Sequence, residues 1–174
     1  KGSMMKASEN PFRYRVGIFG SSYTHGSSTS RGGMTYPAQF SRNTGIQLLS
    51  LGCSGNCKMQ PYFAEVLCDA DVDAFSNPDA KMIEERLFPF IEKLQTTHPD
   101  IPLIFQKTIR RERRNFDLQH EEYEQAKMDM AEKLMKEACK KYKNVYYVDT
   151  TNATSYDNNA QVDGVHPDNY GYSL

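Results

Sequence analysis

A short apolar run near the start of the chain passes directly into a segment rich in glycine and serine: Arg15-Val16-Gly17-Ile18-Phe19-Gly20-Ser21-Ser22-Tyr23-Thr24-His25-Gly26. The run is typical of a buried strand, and the glycine that follows it lets the backbone turn sharply. Such a turn can present a serine hydroxyl at the end of the strand. The same serines are equally typical of a helix cap, so this segment alone does not identify a function.

Apolar runs alternate with amphipathic segments along the rest of the chain. We predict further strands at 46–51, 72–75, 102–105 and 145–148, and helices at 37–45, 59–68, 79–97 and 119–142. Asp79 is the expected cap of the third helix, and Pro89 within it predicts a kink or a break. The alternation predicts an α/β fold: a three-layer α/β/α sandwich around a five-stranded, mostly parallel sheet. In such a sheet, ligands bind beyond the carboxyl ends of the strands.

The composition of the 174 residues argues against one class of protein and excludes another. Lys and Arg number 21 and Asp and Glu 22, so the chain lacks the basic excess of a dedicated nucleic-acid-binding protein. No segment approaches the roughly 20 apolar residues that a membrane-spanning helix needs. We interpret residues 1–11 as a tag remnant or a disordered leader, and residues 12–174 as one domain that a longer chain can contain.

The cysteines raise the question of a metal site or a reactive thiol. Cys53 and Cys57 have CxxxC spacing, but no second pair of Cys or His lies near them, so four zinc ligands are hard to assemble. We predict neither a metal nor an organic cofactor. A thiol hydrolase that pairs one of these cysteines with a histidine remains an alternative.

A second polar segment follows the last predicted strand: Val162-Asp163-Gly164-Val165-His166-Pro167-Asp168. Asp163 and His166 are three residues apart, so one turn can bring the carboxylate to the imidazole Nδ1 and leave Nε2 free. These are the general base and its orienting group in a nucleophilic triad. The segment is expected at the edge of the sheet from which the Ser22 segment also emerges.

Two more strand-end loops carry groups that stabilise an oxyanion. The loop Gly52-Cys53-Ser54-Gly55-Asn56-Cys57 has closely spaced glycines, whose N–H groups can point into a cavity. Asn77 follows the third predicted strand and can donate from its amide. Simple turns are the alternative at both places.

Taken in this order, the segments resemble those of the SGNH hydrolases, the GDSL-type esterases and lipases, in the branch whose first block is GSSxTxG. The resemblance runs from about Tyr14 to Gly171 and implies the flavodoxin-like architecture of that family. It implies Ser22 as the nucleophile, with Asp163 and His166 as its partners.

By the same resemblance, the N–H groups of Ser22 and Gly55 and the amide of Asn77 form the oxyanion hole. The implied function is hydrolysis of short-chain acyl esters, such as acetyl groups on carbohydrate, with a small-molecule or carbohydrate ester as the partner. The resemblance favours a secreted or periplasmic protein over a cytoplasmic one, and it leaves the oligomeric state open.

A basic loop after the fourth predicted strand supports an alternative function, a non-catalytic carbohydrate- or anion-binding module of the same fold. The loop contains Lys107, Arg110, Arg111, Arg113 and Arg114. Such a run is usually solvated and paired with acidic neighbours, here Glu112, Glu121 and Glu122. Its place at a strand end also allows one arginine to line the substrate cleft.

The other three histidines have weaker claims to a function. His25 adjoins the candidate serine and is interpreted as a loop residue, although it can contact substrate. His98 precedes a strand at the opposite edge of the sheet and is expected to be structural. His120 is expected at a solvated end of a helix.

Overall fold

Strands and helices alternate along the chain in the computed structural model, which describes residues 2–70, 74–77, 83–112 and 117–174. The strands are β1 (Arg15–Gly20), β2 (Gln47–Gly52), β3 (Ala74–Asn77), β4 (Leu103–Gln106) and β5 (Val145–Val148). The α-helices are α1 (Ser22–His25), α2 (Tyr36–Thr44), α3 (Pro61–Cys68), α4 (Ile83–Thr97) and α5 (Leu118–Lys141). Short 3-10 helices lie at Gly32–Met34, Ser54–Asn56 and Gly171–Ser173. The predicted α/β class is confirmed.

The strands form one sheet in the order β2-β1-β3-β4-β5, and every neighbouring pair is parallel. All five carboxyl ends therefore lie at one edge. The chain runs outward from β1 to β2 on one side of the sheet and from β3 to β4 on the other, so the loops after β1 and β3 diverge there. Open sheets of this order bind ligands in the crevice at that point.

An apolar core fills the space between this sheet and helices α3, α4 and α5. Phe19 of β1 is its centre, with ring centroids 4.8 Å from Phe63 of α3 and 5.7 Å from Phe90 of α4. The core continues to β5 and α5 through Leu103, Val145 and Ala138, among others. Burial of this apolar surface is the main stabilising contribution to the fold. It also fixes the end of β1, where the candidate serine begins.

Helix α4 runs without a break through Pro89, so the predicted break is wrong. Proline removes one backbone donor and usually disrupts a helix interior. Here Leu87, Ile91 and Leu94 are almost fully buried on the same helix, and their packing holds the two halves together. The predicted cap, Asp79, lies outside the described residues.

The remaining predicted elements form with small shifts of their ends. Helix α2 ends at Gly45, whose φ of 71° suits a residue without a side chain. Strand β3 covers Ala74–Asn77 rather than 72–75, and residues 72 and 73 lie outside the described part. Helix α5 begins after Asp117, whose carboxylate accepts from the N–H groups of Gln119 and His120 at 3.0 and 3.2 Å. Sequence reasoning missed that cap.

Within the described ranges, none of the helices has the length and apolar character that crossing a membrane requires.

Candidate active site

Ser22 is held at the end of β1 by backbone packing. It opens α1 directly after the strand, and Ser21 before it is buried. The end of β2 packs against this turn at Gly52, where an added Cβ would lie 2.3 Å from the backbone nitrogen of His25. Only glycine permits this approach, and the carbonyl of Gly52 lies 3.0 Å from His25 Nδ1. The loops after β1 and β2 are therefore tied together.

Three side chains form a continuous line of hydrogen bonds. His166 Nε2 lies 3.0 Å from Ser22 Oγ, and His166 Nδ1 lies 2.8 Å from Asp163 Oδ2. The imidazole thus contacts the hydroxyl with one nitrogen and the carboxylate with the other. This is the geometry of a nucleophile, a base and an orienting carboxylate. The structure brings together the three residues that the sequence singled out for these positions.

The Asp163–His166 turn is organised by the carboxylate itself. Asp163 Oδ1 accepts from the N–H groups of Val165 and His166 at 2.9 and 2.7 Å, and Gly164 between them has a φ of 79°. Desolvation raises the pKa of Asp163, but the hydrogen bonds from His166 and Val165 outweigh it, and the net shift lowers that pKa. Asp163 therefore stays ionised and can hold a protonated imidazole.

Side chains from the β4–α5 loop anchor this turn. The Glu112 carboxylate accepts from the N–H groups of Ala160 and Gln161 at 3.3 and 3.1 Å and from Ser155 Oγ at 2.9 Å. In return, Gln161 accepts from the N–H of Glu112 at 3.1 Å and donates to the carbonyl of Arg110 at 2.7 Å. Glu112 thus binds the backbone that leads into the histidine turn. Its predicted pairing with a loop arginine stays a prediction, because Arg113 and Arg114 lie outside the described residues.

The backbone donors expected at the oxyanion hole are present in part. Gly55 lies in the 3-10 helix Ser54–Asn56 and lines the same cavity as Ser22 and His166, with a volume of about 390 Å³. Neither the Ser22 N–H nor the Gly55 N–H donates to an acceptor within the part of the chain that the structure describes. Asn77 ends β3, with its backbone beside Phe105 of β4. Its amide side chain lies outside the described part, so its role stays a prediction.

The same cavity has charged walls that sequence reasoning largely missed. Arg111, one member of the predicted basic loop, lines it together with Lys58, Glu124 and Lys127. Glu124 and Lys127 are three residues apart on α5, a spacing that places them on one face of a helix. That spacing could have been recognised in the sequence, but not the direction in which the face points.

Within the described residues, two cations of the basic loop pair with carboxylates on α5. Lys107 pairs with Glu132 at 2.8 Å and Arg111 with Glu124 at 3.3 Å, both partners lying on α5. Arg110 donates to the carbonyl of Ser155 at 2.7 Å. Arg113 and Arg114 lie outside the described residues.

The geometry does not favour thiol chemistry. Cys57 is fully buried, its Sγ accepts from the Cys53 N–H at 3.3 Å, and burial raises the pKa of the Cys57 thiol to about 12. Such a group is a protonated thiol at neutral pH and a poor nucleophile. Cys53 does not line the cavity of Ser22. The described residues contain no group of three or more His, Cys, Asp or Glu that could hold a metal ion.

His25, His98 and His120 are not among the residues that line the cavity of Ser22. His25 Nδ1 contacts the Gly52 carbonyl, as noted above. His98 Nε2 lies 2.8 Å from the carbonyl of Cys68 and joins α4 to α3, which agrees with a structural role. His120 is exposed in the first turn of α5.

The sequence matches one protein family, and the structure is similar to several solved structures. The model of the GDSL-like Lipase/Acylhydrolase family matches residues 13–173. Among solved structures, a Bacteroides ovatus protein described as a GDSL-like lipase is 37% identical, with a TM-score of 0.84; the alignment covers 94% of this chain and 50% of that one. The chain thus spans half the length of that protein. Among curated proteins, none matches.

Two more distant structures share the fold. A G-D-S-L family lipolytic protein of Desulfitobacterium hafniense is 14% identical with a TM-score of 0.69, over 93% of this chain and 95% of that one. A mutant of Axe2, an acetyl-xylooligosaccharide esterase from Geobacillus Stearmophilus, is 17% identical with a TM-score of 0.63, over 95% and 91%. At these identities the likeness concerns the fold alone.

Proposed function

The chain belongs to the GDSL-like lipase/acylhydrolase family, and from this premise we propose that it is a serine esterase that hydrolyses short-chain acyl esters through an acyl-enzyme. The observation that carries the proposal is the continuous line of hydrogen bonds from Asp163 through His166 to Ser22. A structural histidine needs one such contact, whereas a general base needs both.

In the proposed reaction, Ser22 Oγ attacks the carbonyl carbon of the ester while His166 Nε2 accepts the hydroxyl proton. Asp163 holds the Nδ1–H and stabilises the imidazolium that forms. The imidazolium then gives its proton to the alcohol oxygen as the bond between carbon and that oxygen breaks, which leaves an acyl group on Ser22. In the second half, His166 accepts a proton from water as the water oxygen attacks the acyl carbon. The bond from that carbon to Ser22 Oγ then breaks, the imidazolium returns its proton to Ser22 Oγ, and the carboxylic acid leaves.

The negative oxygen of each tetrahedral intermediate needs donors that are in place beforehand. We assign this role to the N–H groups of Ser22 and Gly55, supported by their lack of acceptors among the described residues and by their place in one cavity. The amide of Asn77 is the proposed third donor, supported by its position at the carboxyl end of β3 beside β1. No metal or organic cofactor takes part in this scheme.

The proposed substrate is an acetyl or other short acyl ester, carried by a carbohydrate. An open cavity of about 390 Å³ with Thr108, Lys58 and Arg111 in its walls suits a polar alcohol part better than a long alkyl chain. The acetyl-xylooligosaccharide esterase among the fold neighbours is consistent with this choice. The sheet order also supports the three-layer, flavodoxin-like arrangement implied by the sequence resemblance.

A fluorophosphonate label tests the proposal, because only an activated serine reacts with it. We expect stoichiometric labelling and hydrolysis of nitrophenyl acetate by the wild-type protein, and neither by Ser22→Ala. Ser54→Ala is the matched control, a nearby serine whose hydroxyl has no place in the scheme, and it should retain both. Equal turnover by wild type and Ser22→Ala would contradict a serine esterase at this site, and no turnover by either protein would favour the non-catalytic binding module.

A further inference from the structure

The cavity beside Ser22 is unevenly charged. Among the described residues that line it, three are cationic, namely Lys58, Arg111 and Lys127, and one is acidic, Glu124. Three positive charges and one negative leave a net charge of two positive among these four groups. The whole chain, by contrast, has a formal net charge of −1. The excess at this cavity is therefore a local arrangement and does not reflect composition.

The one carboxylate is shared between two of the cations. Glu124 accepts from Lys127 Nζ and, at 3.3 Å, from Arg111 Nη1. Lys58 has no ion pair with a carboxylate in the described part of the chain, where its contacts are made by its backbone. The acidic group thus positions Arg111 and Lys127 without cancelling their joint charge.

The three cations come from separate parts of the fold. Lys58 follows the 3-10 helix that holds Gly55, Arg111 belongs to the β4–α5 loop, and Lys127 lies on α5. The side chains of Arg111 and Lys127 are only 33% and 23% exposed, so solvent screens them less than free surface charges. Charges of one sign that line a cleft attract the opposite charge into it.

We propose that the ester cleaved at Ser22 carries a carboxylate in its own structure, and that Lys58, Arg111 and Lys127 bind this carboxylate. The inference rests on the proposed esterase function and specifies its substrate class as acidic esters. A planar guanidinium beside two ammonium groups matches the geometry of a carboxylate. The carboxylate can belong to the alcohol part or to the acyl part of the ester, and the chemistry of recognition is the same for both.

Two pairs of esters, each a carboxylate and its neutral match, show whether the bound carboxylate belongs to the alcohol part or to the acyl part. Para-acetoxybenzoate against para-acetoxybenzamide places the charge in the alcohol part, and phenyl hydrogen adipate against its terminal amide, phenyl 6-amino-6-oxohexanoate, places it in the acyl part. We expect kcat/KM for the charged ester to exceed that of its neutral match about tenfold in one pair. The advantage should decline as salt is raised, because screening weakens exposed charges. A ratio at or below one in both pairs would overturn the inference.

Variants that remove a positive charge and a variant that removes a negative charge should change the charged-to-neutral ratio in opposite directions. Lys58→Met and Lys127→Met should lower the charged-to-neutral ratio, mainly by raising KM for the charged ester. Glu124→Gln should raise the ratio, since it removes the carboxylate that pairs with Arg111 and Lys127, and a merely structural role for Glu124 predicts no such rise. Lys140→Met is the control, an exposed lysine near the other end of α5. Equal ratios in wild type, Lys58→Met and Glu124→Gln would overturn the inference.

Binding by the inactive Ser22→Ala protein separates this inference from the esterase proposal. Calorimetry with para-hydroxybenzoate against para-hydroxybenzamide, and with adipate against adipamide, should show tighter, salt-dependent binding of the carboxylate in one pair, weakened by Lys58→Met. Equal binding within both pairs would overturn the anion site even where Ser22-dependent hydrolysis is found. Hydrolysis that survives in Ser22→Ala would instead overturn the esterase proposal, whatever the binding result.

Discussion

The two halves of the Ser22–His166–Asp163 arrangement are held by different kinds of interaction. Ser22 is positioned by backbone: β1 in the middle of the sheet, the turn into α1, and the close approach of Gly52. The Asp163–His166 turn lies in a long segment after β5 and is held by side chains, chiefly Glu112 and Gln161. The first half should therefore tolerate side-chain changes around it, and the second should not.

The largest effect is expected at Asp163, which orients the imidazole. Asp163→Asn should lower kcat roughly 10⁴-fold, because an amide favours the wrong imidazole tautomer and cannot stabilise the imidazolium. The folded structure should persist, as judged by circular dichroism. Steady-state rates with nitrophenyl acetate provide the measurement, and near-normal kcat would remove Asp163 from the mechanism.

A smaller loss of kcat is expected when Asn77 is changed. Its amide is the one side-chain donor proposed for the oxyanion hole beside Ser22. If its amide reaches the oxyanion, Asn77→Ala should lower kcat about 10²–10³-fold with little change in KM, since that bond strengthens only in the transition state. Thermal midpoint and kcat are measured on the same preparation. An unchanged kcat with a lowered midpoint would leave Asn77 as a turn residue before Pro78.

Glu112 tests the contrast between the halves most directly. Glu112→Ala leaves the N–H groups of Ala160 and Gln161 without their acceptor, which should cost about 1–3 kcal/mol of stability. It should also slow fluorophosphonate labelling, because the histidine turn loses its anchor. Ser50→Ala is the matched change on the serine side, where it removes a 3.2 Å hydrogen bond to the Thr24 carbonyl. Equal effects of the two variants would refute the contrast.

The smallest effect concerns the pH dependence of stability. The pKa of Asp163 is lowered on folding, so its contribution is complete above the ordinary pKa of about 4 and is lost as pH falls towards the lowered value. The thermal midpoint of wild type should therefore decrease from pH 5 to pH 3 slightly more than that of Asp163→Asn. The difference should be small, because the Asp163 side chain is 46% exposed. A larger decrease in the variant would contradict the sign of this shift.

Much of the fold could be predicted from local patterns. The apolar runs of β1, β2, β4 and β5 and the stripe of α5 are visible in the sequence, and the structure shifts their ends by a residue or two. The continuity of α4 through Pro89 could not be predicted, because it depends on packing against other elements. The cap at Asp117 was missed, although Asp before a helix is a recognised signal.

The sequence by itself determined the contacts between residues that are close together along the chain. Three residues separate Asp163 from His166, and one turn suffices to join them, so the DxxH segment carries that contact wherever it lies. The contact from His166 to Ser22 spans 144 residues, and only the parallel sheet brings those two loops to one edge. The meeting of Lys58, Arg111 and Lys127 around one cavity is likewise tertiary. The number of residues between these charges does not predict how far apart they lie, because that distance is set by the packing of the elements between them.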